Sequence, residues 1–187
     1  MERMRGAGRR GRVVGGARGR VLEVGVGTGR NLSLYPPNAD VTAVDISARM
    51  LERAQEQATK VPARVRLHQA DAEALPFPDA AFDTVVATCV FCSVGDPVRG
   101  LEEIRRVVKP KGEVRLLEHV RPENRLLGKL FDLLSPITRR VIGPEINRRT
   151  EENVRRAGLE IIDLRRDGIW REIIARPNGP LHSRERI

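Results

Sequence analysis

From residue 20 the chain alternates strand-like and helix-like stretches, and near residue 160 the alternation stops. No other feature restricts the fold as much. Arg20–Val24, Asp40–Val44 (closing at Asp45), Val65–Gln69, Phe82–Thr88 and Glu113–Glu118 read as short strands rich in Val, Leu and Thr. Between them, a short helix is expected from about Asn31. Ser47 can cap a second helix that carries Met50, Leu51, Ala54 and Ala58 along one face. Asp96 and Pro97 open a third, with Leu101, Ile104, Val107 and Val108 on its apolar side and Pro110 and Gly112 stopping it. Strands and helices alternating at this pitch predict an open, parallel α/β sheet with helices on both faces. Leu159–Leu164 and Ile169–Ala175 are also strand-like, but only R-R-D-G separates them. A link that short cannot hold a crossover helix, so these two must pair as an antiparallel hairpin.

The length of 187 residues suits one compact domain. Aromatic residues make up only 3% of the chain, so the core is expected to be aliphatic. The first 12 residues are rich in Gly and Arg and read as a basic, flexible tail (1–12), leaving 13–187 as a single domain. No apolar run approaches the ~18 residues of a membrane span, and the N-terminal stretch has no apolar centre of the kind a secretory signal carries. Two cysteines, Cys89 and Cys92, give no disulfide framework. A cytoplasmic protein is expected. The net charge of +9 and isoelectric point near 10.8 invite a polyanion, such as an anionic membrane surface or a phosphate-bearing substrate. Arg outnumbers Lys 30 to 4 throughout the chain, and no aromatics accompany the basic clusters, which disfavours nucleic acid as the partner.

The strongest local signal is V-L-E-V-G-V-G-T-G, Val21 to Gly29. A buried strand runs into glycines at positions 25, 27 and 29. A dinucleotide-binding loop would need G-x-G-x-x-G, with a third glycine at position 30; Arg30 stands there and would crowd the close helix–strand packing. The loop can still bring backbone N–H groups to a ligand. Three acids accompany it. Glu23 lies in the first strand; Asp45 closes the second, where a carboxylate can accept from two ribose hydroxyls; Asp71 follows the third, suited to an adenine amino group. Taken singly, each is a solvated strand-end acid. Together they line the edge where open α/β sheets bind ligands, and they favour a cationic ligand over a pyrophosphate.

With those motifs in order, the sequence resembles the class I S-adenosylmethionine-dependent methyltransferases, in the branch of the ubiquinone/menaquinone C-methyltransferases. The stretches that carry the resemblance are V-L-E-V-G-V-G-T-G, A-V-D-I-S, A-D-A-E-A-L-P-F-P-D-A-A-F-D-T-V-V and L-E-E-I-R-R-V-V-K-P-K-G-E-V, spread over residues 18–120. N-L-S-L-Y-P, V-F-C-S-V-G-D-P, L-L-E-H-V-R-P-E-N and I-N-R-R-T-E-E-N-V-R-R-A-G-L-E-I are similar to bacterial phospholipid N-methyltransferases and methyltransferase-like thiol methyltransferases. The resemblance implies a Rossmann-like sheet, mostly parallel, that ends in an antiparallel hairpin. Two departures stand out. The usual P-G-G before the fifth strand is P-K-G, with Lys111, and only 20 residues precede Val21, where the family carries one or two helices that close over the cofactor.

The resemblance further implies S-adenosylmethionine as cofactor. Its methionine part would lie over Gly25, Gly27 and Gly29, with Glu23 and Asn31 nearby and Thr88 and Cys89 following the fourth strand. Its ribose would rest on Asp45, and its adenine by Asp71 and Ala72 with Ile46 and Met50 packed on it. His119, after Glu118, is the candidate catalytic acid/base; the alternative is a strand-end histidine holding a loop. Residues 120–150 form the expected substrate cap, an apolar helix face flanked by arginines, with Arg148 as a candidate phosphate contact. No metal is expected: Cys89 and Cys92 are spaced C-x-x-C but lack a second pair. The acceptor is expected to be small or lipid-like, a phospholipid amine first, with a quinone-precursor carbon or a thiol as alternatives. Peripheral contact with an anionic membrane is expected. A reading from another class is a binding module with a basic surface and little turnover. Oligomeric state has no signal in the sequence.

Overall fold

A computed structural model of the chain describes residues 2–119 and 150–179. In chain order the elements are α1 (Glu2–Gly15), β1 (Arg20–Val24), a 3-10 turn (Leu32–Leu34), β2 (Asp40–Asp45), α2 (Ala48–Ala58), β3 (Arg64–Gln69), β4 (Phe82–Thr88), α3 (Pro97–Val107), β5 (Val108–His119), α4 (Thr150–Arg156), β6 (Leu159–Asp167) and β7 (Trp170–Pro177). They build one seven-stranded sheet in the order β3-β2-β1-β4-β5-β7-β6. Strands β1 to β5 pair in parallel, and β7 runs antiparallel to both β5 and β6. The hairpin expected from R-R-D-G is therefore present, with Asp167 opposite Trp170 at its tip.

Strand alternation feeds two cores. In β1, Leu22 and Val24 face α3 and α4 and pack with Val85, Leu101, Ile104 and Val154. Val21 faces the other way, toward α1 and α2, with Val13, Val14, Leu32, Ala54 and Val86. Burial on both faces explains why the central strands are apolar runs without polar alternation. The third helix has the caps its sequence announced: Asp96 accepts from the N–H groups of Val98 and Arg99, and Pro97 opens the helix. It ends at Val107, earlier than Pro110 and Gly112 suggested. The chain passes straight into a long β5, whose register against β4 shifts between Phe82 and Thr84.

Of the stretch read as a tail, residues 2–12 are helical and belong to α1. Three buried apolar residues near its C-terminal end, Val13, Val14 and Ala17, anchor the segment in the core. Arg115 of β5 donates from Nε to the carbonyl of Val13 at 2.9 Å. Arg9 pairs with Asp167 and Arg12 with Glu172, both on the β6–β7 hairpin. Basic composition suggested a tail, whereas Arg9 and Arg12 tie the helix to a distant hairpin. The proposed cap segment 120–150 lies outside the described residues apart from Thr150, the buried first residue of α4. Among the described residues, no helix is long and apolar enough to cross a membrane.

Candidate functional site

The strand order reverses between β1 and β4, because β2 and β3 stack on one side of β1 and the chain then crosses to the other. Crevices outside the C-terminal ends of strands at such a switch are where open α/β sheets bind ligands. A cavity of ≈ 600 Å³ lies there. Its wall includes Gly25, Gly27, Asn31, Asp45, Ile46, Met50, Asp71, Ala72, Thr88 and Cys89, together with Arg10. Ten of the residues singled out from sequence thus meet around one cavity. Three do not line it: Glu23 is buried behind, Gly29 packs beneath, and His119 lies to the side. Arg148 is outside the described residues.

The glycine loop is folded by its backbone. The N–H groups of Gly25 and Val26 both donate to the carbonyl of Val44, at 2.8 and 2.9 Å, which turns the chain sharply off β1. Gly25 and Gly27 have φ of +69° and +55°. A Cβ on Gly25 would strike Val90, whereas one on Gly27 would meet no protein atom within 4 Å. Gly27 thus presents bare backbone to open space, as a closely approaching ligand requires.

Asp45 is fixed by the same loop. Its Oδ2 accepts from the N–H of Gly27 and its Oδ1 from the N–H of Ser47, each at 2.9 Å. Each oxygen keeps a lone pair for a ligand hydroxyl. Ile46 and Met50, 65% and 37% exposed, offer apolar surface beside it. Asp71 closes an Asx turn by accepting from the N–H of Glu73 at 2.9 Å. That proline-punctuated loop is held from α3. Arg106 donates to the carbonyls of Leu75 and Phe77 and to Glu103 and Asp79, and Glu103 accepts from the N–H of Leu75. These bonds hold Glu103 below the usual carboxylate range.

Two glutamates stand behind the wall. Glu23 is fully buried; its Oε1 accepts from Asn31 Nδ2 at 2.8 Å. The Tyr35 hydroxyl comes near the other oxygen without a well-formed hydrogen bond. Burial raises the Glu23 carboxyl to about 7, opposed by Tyr35, Asn31 and the charge of Arg10. Glu118 accepts from the N–H groups of Val90 and Phe91, at 2.9 and 3.2 Å, and so pins the loop after β4. Burial takes it to about 7 as well, opposed by those two bonds and by Arg10. The unfolded value for both is near 4.5. The folded protein therefore holds these protons more tightly, and the stability they contribute is full below pH 4.5 and declines as pH rises toward 7. Glu118→Gln removes one of the two titrations. Its thermal midpoint should fall less steeply than that of the wild type between those values, and parallel curves would refute the assignment.

Arg30 does not crowd the fold as its position suggested. Only a 3-10 turn follows the loop, so residue 30 is exposed at the cavity rim. The close packing falls on Gly29, where a Cβ would sit 3.1 Å from Gln57 and Leu32 and 3.2 Å from Ala54. Neither Cys89 nor Cys92 is in a disulfide; burial, with Glu118 nearby, raises Cys89 to about 12, and Cys92 donates to the Cys89 carbonyl. A thiol so raised is inert at neutral pH. The His119 ring lies against Trp170, tilted by 44° with ring centroids 3.5 Å apart, and Arg9 lies over the same Trp170 ring at 5.5 Å. Burial, then Arg10 and Arg9, lower its pKa, so it is neutral at pH 7.

The residue that sequence reasoning missed is Arg10. Its Nη1 donates to Asn31 Oδ1 at 2.9 Å and to Thr88 Oγ1 at 2.7 Å, on the cavity wall. The signal was available in Val13, Val14 and Ala17: one helical turn before an apolar anchor, a residue can face the sheet edge.

Known proteins share the sequence pattern and the fold. The sequence pattern described as a methyltransferase domain matches residues 22–116. A phosphatidylethanolamine N-methyltransferase of Cereibacter sphaeroides is 46% identical over 104 residues, covering 54% of this chain and 51% of that protein. A demethylmenaquinone methyltransferase of Deinococcus radiodurans is 36% identical over 117 residues, covering 61% and 48%. The chain thus spans about half the length of these curated relatives. Among solved structures, the YcgJ protein of Bacillus subtilis superimposes with a TM-score of 0.75 at 19% identity, over 92% of this chain and 100% of that one. The cyclase SpnF gives 0.73 at 23% identity, over 94% and 81%. A cyclase on the same fold is a reminder that fold does not fix reaction.

Proposed function

The chain belongs to the methyltransferase domain family, and from that premise we propose that it transfers the methyl group of S-adenosylmethionine to a small or lipid-like acceptor, a phospholipid amine in the first place. One observation carries the cofactor assignment: a carboxylate preset by two backbone N–H groups, Asp45, beside a bare glycine loop at the switch point of the sheet. The residues present fit the group. Asp45 would hold the ribose diol, Asp71 and Ala72 the adenine edge, and Ile46 and Met50 its face. Gly25, Gly27, Thr88 and Cys89 would line the amino-acid arm, with Asn31 and Glu23 behind them.

When bound, S-adenosylmethionine supplies a methyl group already activated by a sulfonium. The protein's part is to align the acceptor and to exclude water. An amine acceptor must be neutral to attack, so a base that can take its proton is useful. His119 is neutral at pH 7 and is our candidate for that base. His119→Ala should then lower kcat by about 10²-fold or more, the range of a lost general base, with cofactor affinity unchanged. A variant with wild-type kcat across pH 6 to 9 would relegate His119 to its contact with Trp170.

The acceptor is supported by the relative from Cereibacter sphaeroides, and the quinone alternative by the one from Deinococcus radiodurans. The deciding experiment offers methyl-labelled cofactor with phosphatidylethanolamine vesicles, a demethylated quinone or a small thiol. Label in the phospholipid is expected. Label confined to the quinone or thiol would replace the acceptor and leave the chemistry standing. Tight, salt-sensitive binding to anionic vesicles without any labelled product would instead support the binding-module reading. The net charge of +9 makes peripheral contact with such vesicles part of the same proposal.

A further inference from the structure

The end of β5 and the start of β7 meet at the sheet edge that carries the cavity, with His119 directly opposite Trp170. Directly opposite residues on antiparallel strands share one face, so the two rings meet as a cross-strand pair. Their centroids are 3.5 Å apart and their planes are tilted by 44°. Leu117 packs in the core under α1, and strand alternation puts His119 on that same side. Glu118 turns the other way and holds the N–H groups of Val90 and Phe91. A histidine that moves a proton in a fixed direction is ordinarily oriented by a hydrogen bond to one ring nitrogen. Among the described residues no such bond reaches His119, and the Trp170 ring is what touches its imidazole. Trp170 is itself placed from three sides. Asp167 pairs with it across the tip of the hairpin. Its ring packs at the margin of the core that α1 covers. Arg9 of α1 lies over that ring, 5.5 Å from its centroid, while bonded to Asp167.

We propose that Trp170 is a positioning residue, which holds the His119 imidazole beside the cavity with both ring nitrogens open to the acceptor. This rests on the reading of His119 as the base. An indole suits the task. It carries no acceptor that would compete for the imidazole proton, and it covers the ring against water. Burial opposes protonation of His119 first, and the charges of Arg10 and Arg9 on α1 add to it. Of these, Arg9 is paired with Asp167. On β7 the neighbouring Arg171 is paired with Glu151 of α4. The final hairpin thus serves the site through a contact with the base, and α1 backs that contact through Arg9.

The test uses the whole chain. Trp170 is its only tryptophan, and a protonated imidazole in contact with an indole quenches the indole emission. Wild-type emission should therefore drop in one step as pH is lowered through the His119 midpoint, and His119→Gln should lose that step. The same pH profile in both proteins would overturn the contact and the proposal with it. Turnover is then followed with methyl-labelled cofactor and phosphatidylethanolamine vesicles, or with the quinone or thiol if label goes there. Each variant is assayed well below its own thermal midpoint. Trp170→Leu should lower kcat by about 10-fold, the scale of a misplaced reacting group, and leave KM for the cofactor within about twofold. The acid limb of its pH profile should move up toward the ordinary histidine value of 6.5, because the imidazole loses its apolar cover. Trp170→Phe should recover most of both. In a His119→Ala background, Trp170→Leu should cost nothing further. An equal loss in both backgrounds, or an unmoved acid limb, would overturn the proposal. If His119→Ala keeps the wild-type kcat while the quenching step is present, the base reading fails and the contact stands. If no acceptor takes label, the base and its support fail together.

Discussion

Replacing Asp45 with Ala should reduce affinity for S-adenosylhomocysteine by at least about 100-fold. Two hydrogen bonds to a charged acceptor are lost together, each contributing roughly 1.5–3 kcal/mol, and about 1.4 kcal/mol is tenfold in binding. The loss is larger than the contacts alone suggest, because the same carboxylate fixes Gly27 and Ser47 through their N–H groups. Without it the loop must be ordered by the ligand, which takes part of the binding energy. Asp45→Asn is the informative partner. Its amide can accept from only one of those N–H groups and presents donors toward the other, so it should fall near the Ala variant. Calorimetry reads both. Binding of Asp45→Ala within threefold of wild type would remove the ribose assignment and, with it, the main support for the cofactor site.

The second large effect is on stability. Gly25→Ala places a Cβ 2.5 Å from Val90 Cγ2 and 3.0 Å from Val90 Cγ1, at a φ of +69°. Left-handed backbone costs an alanine about 1–2 kcal/mol, and overpacking adds about 1–3 kcal/mol. Val90 cannot retreat freely, because its N–H is held by Glu118. A loss of roughly 2–5 kcal/mol corresponds to a thermal midpoint lower by about 5–15 °C in a domain of this size. Gly27→Ala is the control. It has the backbone strain but no clash, so its midpoint should fall less, while its Cβ, projecting into open space, interferes with ligand. Adding Val90→Ala to Gly25→Ala should recover part of the stability. No recovery would show that the strain lies in the backbone alone.

Much of the fold was legible because it is written in local chemistry. β1 and β4 were bounded correctly by apolar runs between glycine and proline, the cap of α3 by Asp96 and Pro97, and the final hairpin by a link too short for anything else. The sheet-edge acids were legible for the same reason: in this architecture, position along a strand fixes position at the edge. What escaped depends on partners far away in sequence. Arg9 and Arg12 find theirs 158 and 160 residues later, and no window along the chain contains both ends of such a pair. The same blindness hid Arg10. The misreading of Arg30 had another source. A rule drawn from loops that enter a long helix was applied where only a 3-10 turn follows, and the packing restriction fell one residue earlier, on Gly29.

The clamp between α1 and the final hairpin also sets an order of assembly. The parallel core, β1 to β5, can form from contiguous sequence as it leaves the ribosome. Two of the ion pairs that hold the helix carrying Arg10 form only when Asp167 and Glu172 have been synthesised and β7 has slotted in beside β5. Part of the cavity wall is therefore finished by residues from the far end of the described chain, while the Val13–Arg115 contact belongs to the parallel core.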